Sequence, residues 1–204
     1  MWWRLFKILA IVLVVIILVA KASSVLLRQT MATIYSESMQ LAPFDVVIVP
    51  GIPYDSANPN IMLKARMFWA KNLFEKVHTR HIIFSGNAVH SPYIDGQCLK
   101  ITADSLGIPT ARTYVELRAL HGTENIDLGI AMAKQLGFKN IAIATDPFQT
   151  AYLKYYEKKN NAPYLPMPVD SIKAYDKSLP AINTCELKVE NFVPLKECEK
   201  NSEY

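Results

Sequence analysis

Hydrophobic and polar positions split the chain into two regimes. From Ile8 to Ala20 there are thirteen consecutive apolar residues. From Asp45 onward, short β-branched runs alternate with segments of helical spacing. "DVVIVPG" (45–51) predicts a buried strand ended by Pro50 and Gly51. "NIMLKARMFWAKNLFEK" (60–76) predicts a helix with Ala65, Phe68, Trp69 and Leu73 on one side. "HIIFSG" (81–86) is a second strand, and "GQCLKITADSLG" (96–107) a helix closed by Gly107 at C′, ahead of Pro109. "RTYVEL" (112–117) is a third strand. The helix after it carries Ile126, Ile130, Ala133 and Leu136 at helical spacing, takes Thr123 as its cap and ends near Gly137. "NIAIAT" (140–145) is a fourth strand and "FQTAYLKYYEKK" (148–159) a helix. "APYLPMPV" (162–169) reads as a proline-punctuated edge strand, and "KVENFVPL" (188–195) as a last strand or a strip over the domain.

This alternation predicts an α/β fold, a mainly parallel sheet covered by helices on both faces with right-handed crossovers. The chain divides into an apolar segment (1–22), a polar connector (23–44), an α/β domain (45–169) and a C-terminal extension (170–204). Trp2, Trp3, Leu5 and Phe6 lengthen the apolar run if Arg4 and Lys7 snorkel, so residues 2–22 reach the ~20 needed to span a bilayer. Arg4 and Lys7 favour an N-terminus in the cytoplasm and a body outside the inner membrane. Ala20-Lys21-Ala22 also fits a signal-peptide cleavage site. The uncleaved anchor is favoured because branched residues continue up to Ala20. Both readings export the domain.

Charge narrows the partners. Four of the 22 basic residues lie in the first 28 positions with no acid, so the rest carries 18 basic and 18 acidic residues. A neutral body lacks the cationic face that nucleic acid requires. The three cysteines show no metal-ligand spacing. Cys185 and Cys198 either bridge in an oxidising compartment, leaving Cys98 free, or all three are buried thiols.

Ligands of parallel sheets bind beyond the strand carboxyl ends. The first strand is followed by Gly51 and Asp55, the second by Ser85, Gly86 and Asn87 and then His90, Tyr93 and Asp95. The third ends at Glu116 and leads to His121, Thr123, Glu124 and Asn125; the fourth ends at Thr145 and Asp146. Topology would gather these four turns into one polar pocket, although Asp, Asn and Gly are also ordinary turn formers. Glu124 and Asn125 fall in a first helical turn, where an acid is stabilised by the helix dipole and an amide suits a hydroxyl or phosphate. Glu116 and Asp146 can act as a general base or cation site, or simply orient backbone N–H groups. Arg66 contacts an anion or clamps a carboxylate from another loop. His90 and His121 sit on the rim as possible proton shuttles, whereas His78 and His81 read as surface residues.

Glu116, Glu124 and Asp146 are thus the catalytic candidates. Gly51, Asp55, Arg66, Ser85, Gly86, Asn87, His90, Asp95, Thr123, Asn125 and Thr145 are the ligand-binding ones. No metal is expected and no cofactor is identified. G-x-G-x-x-G, a P-loop and the G-x-S-x-G elbow are all absent from the sequence.

"DVVIVPG", the helix with Arg66, "IIFSGN", "LGIP", "VEL", "GTENIDLG" and "IATDPFQ" resemble, in order and spacing over 45–157, the YdcF-like domain family. The resemblance implies a Rossmann-like three-layer domain, often behind one N-terminal anchor, with a role in cell-envelope metabolism of peptidoglycan or lipid carriers. It places the family's polar positions on Gly51, Arg66, Ser85, Gly86, Glu116, Glu124, Asn125 and Thr145, and puts Asp95 about where relatives carry Glu. Relatives often have His and Arg where this chain reads Asp146-Pro147-Phe148-Gln149. One member binds S-adenosylmethionine, but the glycine-rich loop of a standard methyltransferase is absent here.

The expectation is an anchored envelope protein binding a small polar or anionic ligand. The alternatives are a non-enzymatic interaction or regulatory protein, with unknown partners, and an S-adenosylmethionine-binding transferase.

Overall fold

A computed structural model describes residues 2–54, 60–76, 78–156, 161–180, 182, 187–192 and 194. Five parallel strands form one sheet: β1 (Phe44–Pro50), β2 (Thr79–Ser85), β3 (Thr113–Glu116), β4 (Ile141–Thr145) and β5 (Tyr164–Pro166), in the order β3-β2-β1-β4-β5. The helices are α1 (Trp2–Met39), α2 (Ile61–Glu75), α3 (Asp95–Ser105), α4 (Gly122–Gln135), α5 (Pro147–Tyr156) and α6 (Ser171–Ala174). The α/β sandwich expected from the alternating pattern is what forms, with β5 at the expected edge.

The continuous apolar runs follow from burial on both sides of the sheet. Along β1, Val47 and Val49 join the core under α2 and α3, while Val46 and Ile48 join the core under α4 and α5. Register then levels the strand ends. Pro50 lies opposite Ser85, Ser85 opposite Glu116, and Thr145 opposite Pro166. The residues after each strand therefore emerge along one rim.

Helix α4 lies close against β1 because position 129 has no side chain. A Cβ there would stand 2.8 Å from Ile48 Cγ2. Gly129→Ala is expected to destabilise the protein by about 1–3 kcal/mol through overpacking, read as a lower urea midpoint of the detergent-solubilised chain. An unchanged midpoint would mean that α4 can slide outward freely.

The polar connector expected over 23–44 is largely helix. α1 runs without interruption for 38 residues, and its last turns belong to the domain. Met31 and Ser38 are buried, Tyr35 and Met39 pack on one core and Ile34 on the other. That stripe recurs every three or four residues, which makes the segment an amphipathic helix rather than a linker. It covers the β5 side of the sheet, where an open edge would otherwise offer unpaired backbone.

The direction of α1 is fixed by contacts at both ends of the sheet. Arg28 pairs with Asp170, beyond the carboxyl end of β5, at 2.9 Å. Ile34, Glu37 and Ser38 share a hollow with Asn161 to Tyr164, where β5 begins. The Asn140 amide, just before β4, donates to the Leu41 and Pro43 carbonyls. α1 therefore runs antiparallel to the strands, and its apolar half rises past their carboxyl ends.

Several local expectations change. The 170–204 extension is not separate where it is described: α6 packs on α2, Tyr175 stacks on the half-buried Phe68, and Leu187 is buried in the main core. Lys188 makes an isolated antiparallel bridge to Tyr93, so the described residues 187–192 form a strip, not a strand. Thr123 is not the cap of α4; the helix begins two residues earlier than that cap implies, at Gly122, with His121 at the N-cap position. Leu136 is 43% exposed, because the helix ends before it can turn that position inward. Gly107 and Gly137 take positive φ directly after α3 and α4, as their C′ positions require. His78 and His81 are half-buried rather than surface residues; His81 lies 3.0 Å from the Asp45 carbonyl and against Tyr114 and Phe138. Asp55, Cys185 and Cys198 lie outside the described residues.

Candidate functional site

A hollow of about 190 Å³ opens at the strand carboxyl ends. Of the residues singled out in the sequence, Gly51, Gly86, Asn87, His90, Asp95, His121 and Asn125 line it. They come from the loops after β1, β2 and β3. The loop after β4 does not reach it. A larger hollow of about 670 Å³ lies at the other end of the molecule, beside Lys71, Arg80 and Arg112. We assign the site to the smaller one, because topology directs three loops and two helix starts into it.

Its floor is backbone packed on backbone. A Cβ on Gly51 would lie 2.8 Å from the Ser85 carbonyl, and one on Gly96 3.0 Å from that of Gly86. Gly86 itself sits at φ +150. The N–H groups of Gly51, Gly86 and Gly96 donate to Ser85, Glu116 and Gly86 carbonyls. These glycines join the loops and do not offer their N–H groups to a ligand.

The start of α4 supplies the donors instead. α4 begins at Gly122 on the wall of the hollow, and His121 makes no side-chain cap bond among the described residues. α3 begins at Asp95, and its N-cap Ile94 likewise makes none. Both helix starts border the cavity, but the Gly96 and Gln97 N–H groups of α3 are already paired, so it is the α4 end that favours an anion there. The buried Asn125 amide adds a polar group from the first turn of α4, 3.4 Å from Ser85 Oγ. His90 and His121 are exposed on the rim.

The carboxylates divide by how many donors they already hold. Glu116 accepts from Ser85 Oγ, from Arg118 Nε and from the Arg118 and Ala119 N–H groups. Asp146 accepts from Arg66 Nε and Nη2 on one oxygen and from the Phe148 and Gln149 N–H groups on the other. Neither lines the hollow, and four donors each leave no open acceptor position for a substrate proton. Glu124 accepts from the Leu120 N–H at 2.7 Å, closing the turn before α4 much as a capping box does. Thr123 is half-buried beside it, and Thr145 donates its hydroxyl to Gln149.

Arg66 is the clamp that sequence allowed. Besides Asp146, its Nη1 donates to the Pro50 and Gly51 carbonyls at 2.9 and 3.0 Å. It ties the end of β1 to the end of β4, where the order of strands reverses. The β4 end is short because Asp146 caps α5 with Pro147 in the first helical position, so no loop remains to reach the hollow.

Asp95 stands apart. It is buried, lines the hollow, and among the described residues holds one donor, the Tyr54 N–H at 3.1 Å. Burial pushes its carboxyl up to about 7, against the lowering effects of that hydrogen bond and of Arg66. A carboxyl titrating near neutrality in a cleft is suited to proton transfer. Sequence reasoning counted it only as a ligand contact; the burying partners, Tyr54 and Gly51, come from a different loop. The Cys98 thiol beneath is raised to about 12, by burial first and by Asp95 second, so it is not a nucleophile. Among the described residues, no three His, Cys, Asp or Glu side chains are grouped to hold a metal.

Comparison with known proteins adds no assignment: no family model matches the chain, and no curated protein is significantly similar to it.

Proposed function

We propose that this chain is a YdcF-like protein of the bacterial cell envelope, anchored in the inner membrane through residues 2–22. Its body lies outside the cytoplasm and acts in peptidoglycan or lipid-carrier biogenesis. The hollow binds a small anionic or polar ligand, with Asp95 as its proton-transfer group. The observation that carries the reading is the meeting of two helix starts, Asn125 and Asp95 in one strand-end cavity. The anchor draws support from a helix that is apolar and long enough to cross a membrane and that continues unbroken through Ala20-Lys21-Ala22.

The test uses sulfate, an anion of constant charge, and the full chain in detergent. Loss of one hydrogen bond to a charged group corresponds to about 1.5–3 kcal/mol, so Asn125→Ala should weaken sulfate binding at least about tenfold in calorimetry. Its unfolding midpoint should stay close to that of the parent. Unchanged binding, or loss of binding together with loss of folding, would remove the hollow as a site.

A second reading, a non-enzymatic interaction or regulatory protein, has one observation in its favour. Phe148, Tyr152 and Tyr155 are exposed along α5 at helical spacing. The S-adenosylmethionine-dependent transferase draws no such support, since the glycine N–H groups at the strand ends are already paired.

A further inference from the structure

The membrane-proximal end of α1 and the rim of the candidate site lie at the same end of the molecule. α1 is antiparallel to the strands, so residues before Arg28 continue outward past the carboxyl end of β5. No Pro or Gly interrupts residues 2–39, so the helix has none of the residues that usually bend one sharply. Arg28, level with the rim through Asp170, lies six residues beyond Ala22, the end of the apolar stretch. At 1.5 Å per residue that separation is roughly 9 Å. The headgroup layer extends about 5–7 Å beyond the hydrocarbon on each side. The gap between rim and lipid is therefore comparable to the layer that would fill it.

We infer that the strand carboxyl-end rim rests against the headgroup layer of the membrane that α1 spans, so that the candidate hollow opens onto lipid. This rests on α1 being retained as an anchor and not on any ligand in the hollow. The rim has the chemistry for that contact. Leu120, Phe148 and Ile61 are the first exposed apolar residues beyond β3, β4 and the β1 loop, at 41%, 54% and 38% exposure. Arg118, His90 and His121 stand exposed among them. Apolar side chains interleaved with cationic or titratable ones match a layer of acyl boundary and phosphate. The contact is continuous with the anchor itself, which commits the surface to lipid and not to a protein partner. A molecule entering the hollow then arrives from the membrane plane.

The test is photocrosslinking of the full chain reconstituted in phosphatidylethanolamine and phosphatidylglycerol vesicles. Benzoylphenylalanine is placed singly as Leu120→benzoylphenylalanine, Phe148→benzoylphenylalanine and, at the far end of α4, Leu136→benzoylphenylalanine. Lipid adducts are counted by mass spectrometry. Adducts are expected at 120 and 148 at several times the yield at 136. Inserting seven residues of α1 sequence after Ser24, two helical turns that lift the body by about 10 Å, should return the 120 and 148 yields to the 136 level. Equal yields at all three positions, or yields indifferent to the insertion, would overturn the inference. Sulfate binding by the same chain in detergent reports on the hollow separately, so failure of one idea is distinguishable from failure of the other.

Discussion

Asp95→Asn is expected to make the protein more stable at pH 8 and no more stable at pH 4. In the fold this carboxyl is raised to about 7 from the 3.8 of an unperturbed aspartate. Between those values the native state keeps a proton that the unfolded chain releases. The unfolded chain then binds fewer protons, and stability falls as pH rises through that window. Above 7 both states are ionised and the loss is complete. Asparagine never ionises and its side-chain oxygen still accepts from the Tyr54 N–H, so the variant avoids the loss. At about 1.36 kcal/mol per pKa unit the gain at pH 8 reaches about 4 kcal/mol. Urea midpoints of the full chain at pH 4 and pH 8 read it directly. An equal midpoint at pH 8 would mean that Asp95 is already ionised well below neutrality. Sulfate affinity supplies an independent measure. The parent should bind less tightly as Asp95 ionises between pH 6 and 8, more steeply than Asp95→Asn.

A residue whose removal stabilises the fold is one whose retention needs another explanation. The sequence marked Asp95 as one strand-end acid among several. Glu116 ends β3, Asp146 directly follows β4 and Asp95 opens α3 ten positions after Ser85, and residue type alone does not rank them. What separates them is the number of donors each meets. Those donors lie close in sequence for Glu116, at Arg118 and Ala119, and partly so for Asp146, whose Pro147 already signals a helix start. For Asp95 the decisive neighbours are Tyr54 and Gly51, in a loop about forty positions away. Local pattern cannot see that.

The same distinction explains the fold. β-branched runs and helical spacing carried β1 to β5 and α2 to α5, because each is a continuous run with its own period. The docked half of α1 was hidden. Its stripe of Met31, Ile34, Tyr35 and Ser38 is diluted by Gln29, Thr30, Thr33 and Glu37 on the other side, a composition that reads as linker until the β5 edge is there to receive it. The direction of α1, and with it the end of the sheet past which its apolar half runs, is a tertiary fact with no sequence signature.

Removing Arg66 is expected to cost about 3–5 kcal/mol, the range for stripping one partner from a buried ion pair. Arg66 and Asp146 are 4% and 6% exposed. Arg66→Ala leaves the Asp146 charge buried and frees the Pro50 and Gly51 carbonyls at the point where β1 and β4 diverge. Arg66→Lys should recover little, since one ammonium cannot reproduce a planar fork that serves a carboxylate and two carbonyls together. Asp146→Asn keeps a good N-cap for α5 but leaves the guanidinium without its counter-charge. The informative variant is Arg66→Met with Asp146→Asn. Neutralising both groups should cost less than the sum of the single changes by at least about 1 kcal/mol, the size of coupling between residues in one network. Urea unfolding of the parent, Arg66→Met, Asp146→Asn and the double variant in detergent completes the cycle. Strict additivity would mean that the pair is incidental and that the strand ends are held by the sheet alone. Coupling would establish the clamp as the element that holds Gly51 against Ser85 and so sets the floor of the hollow.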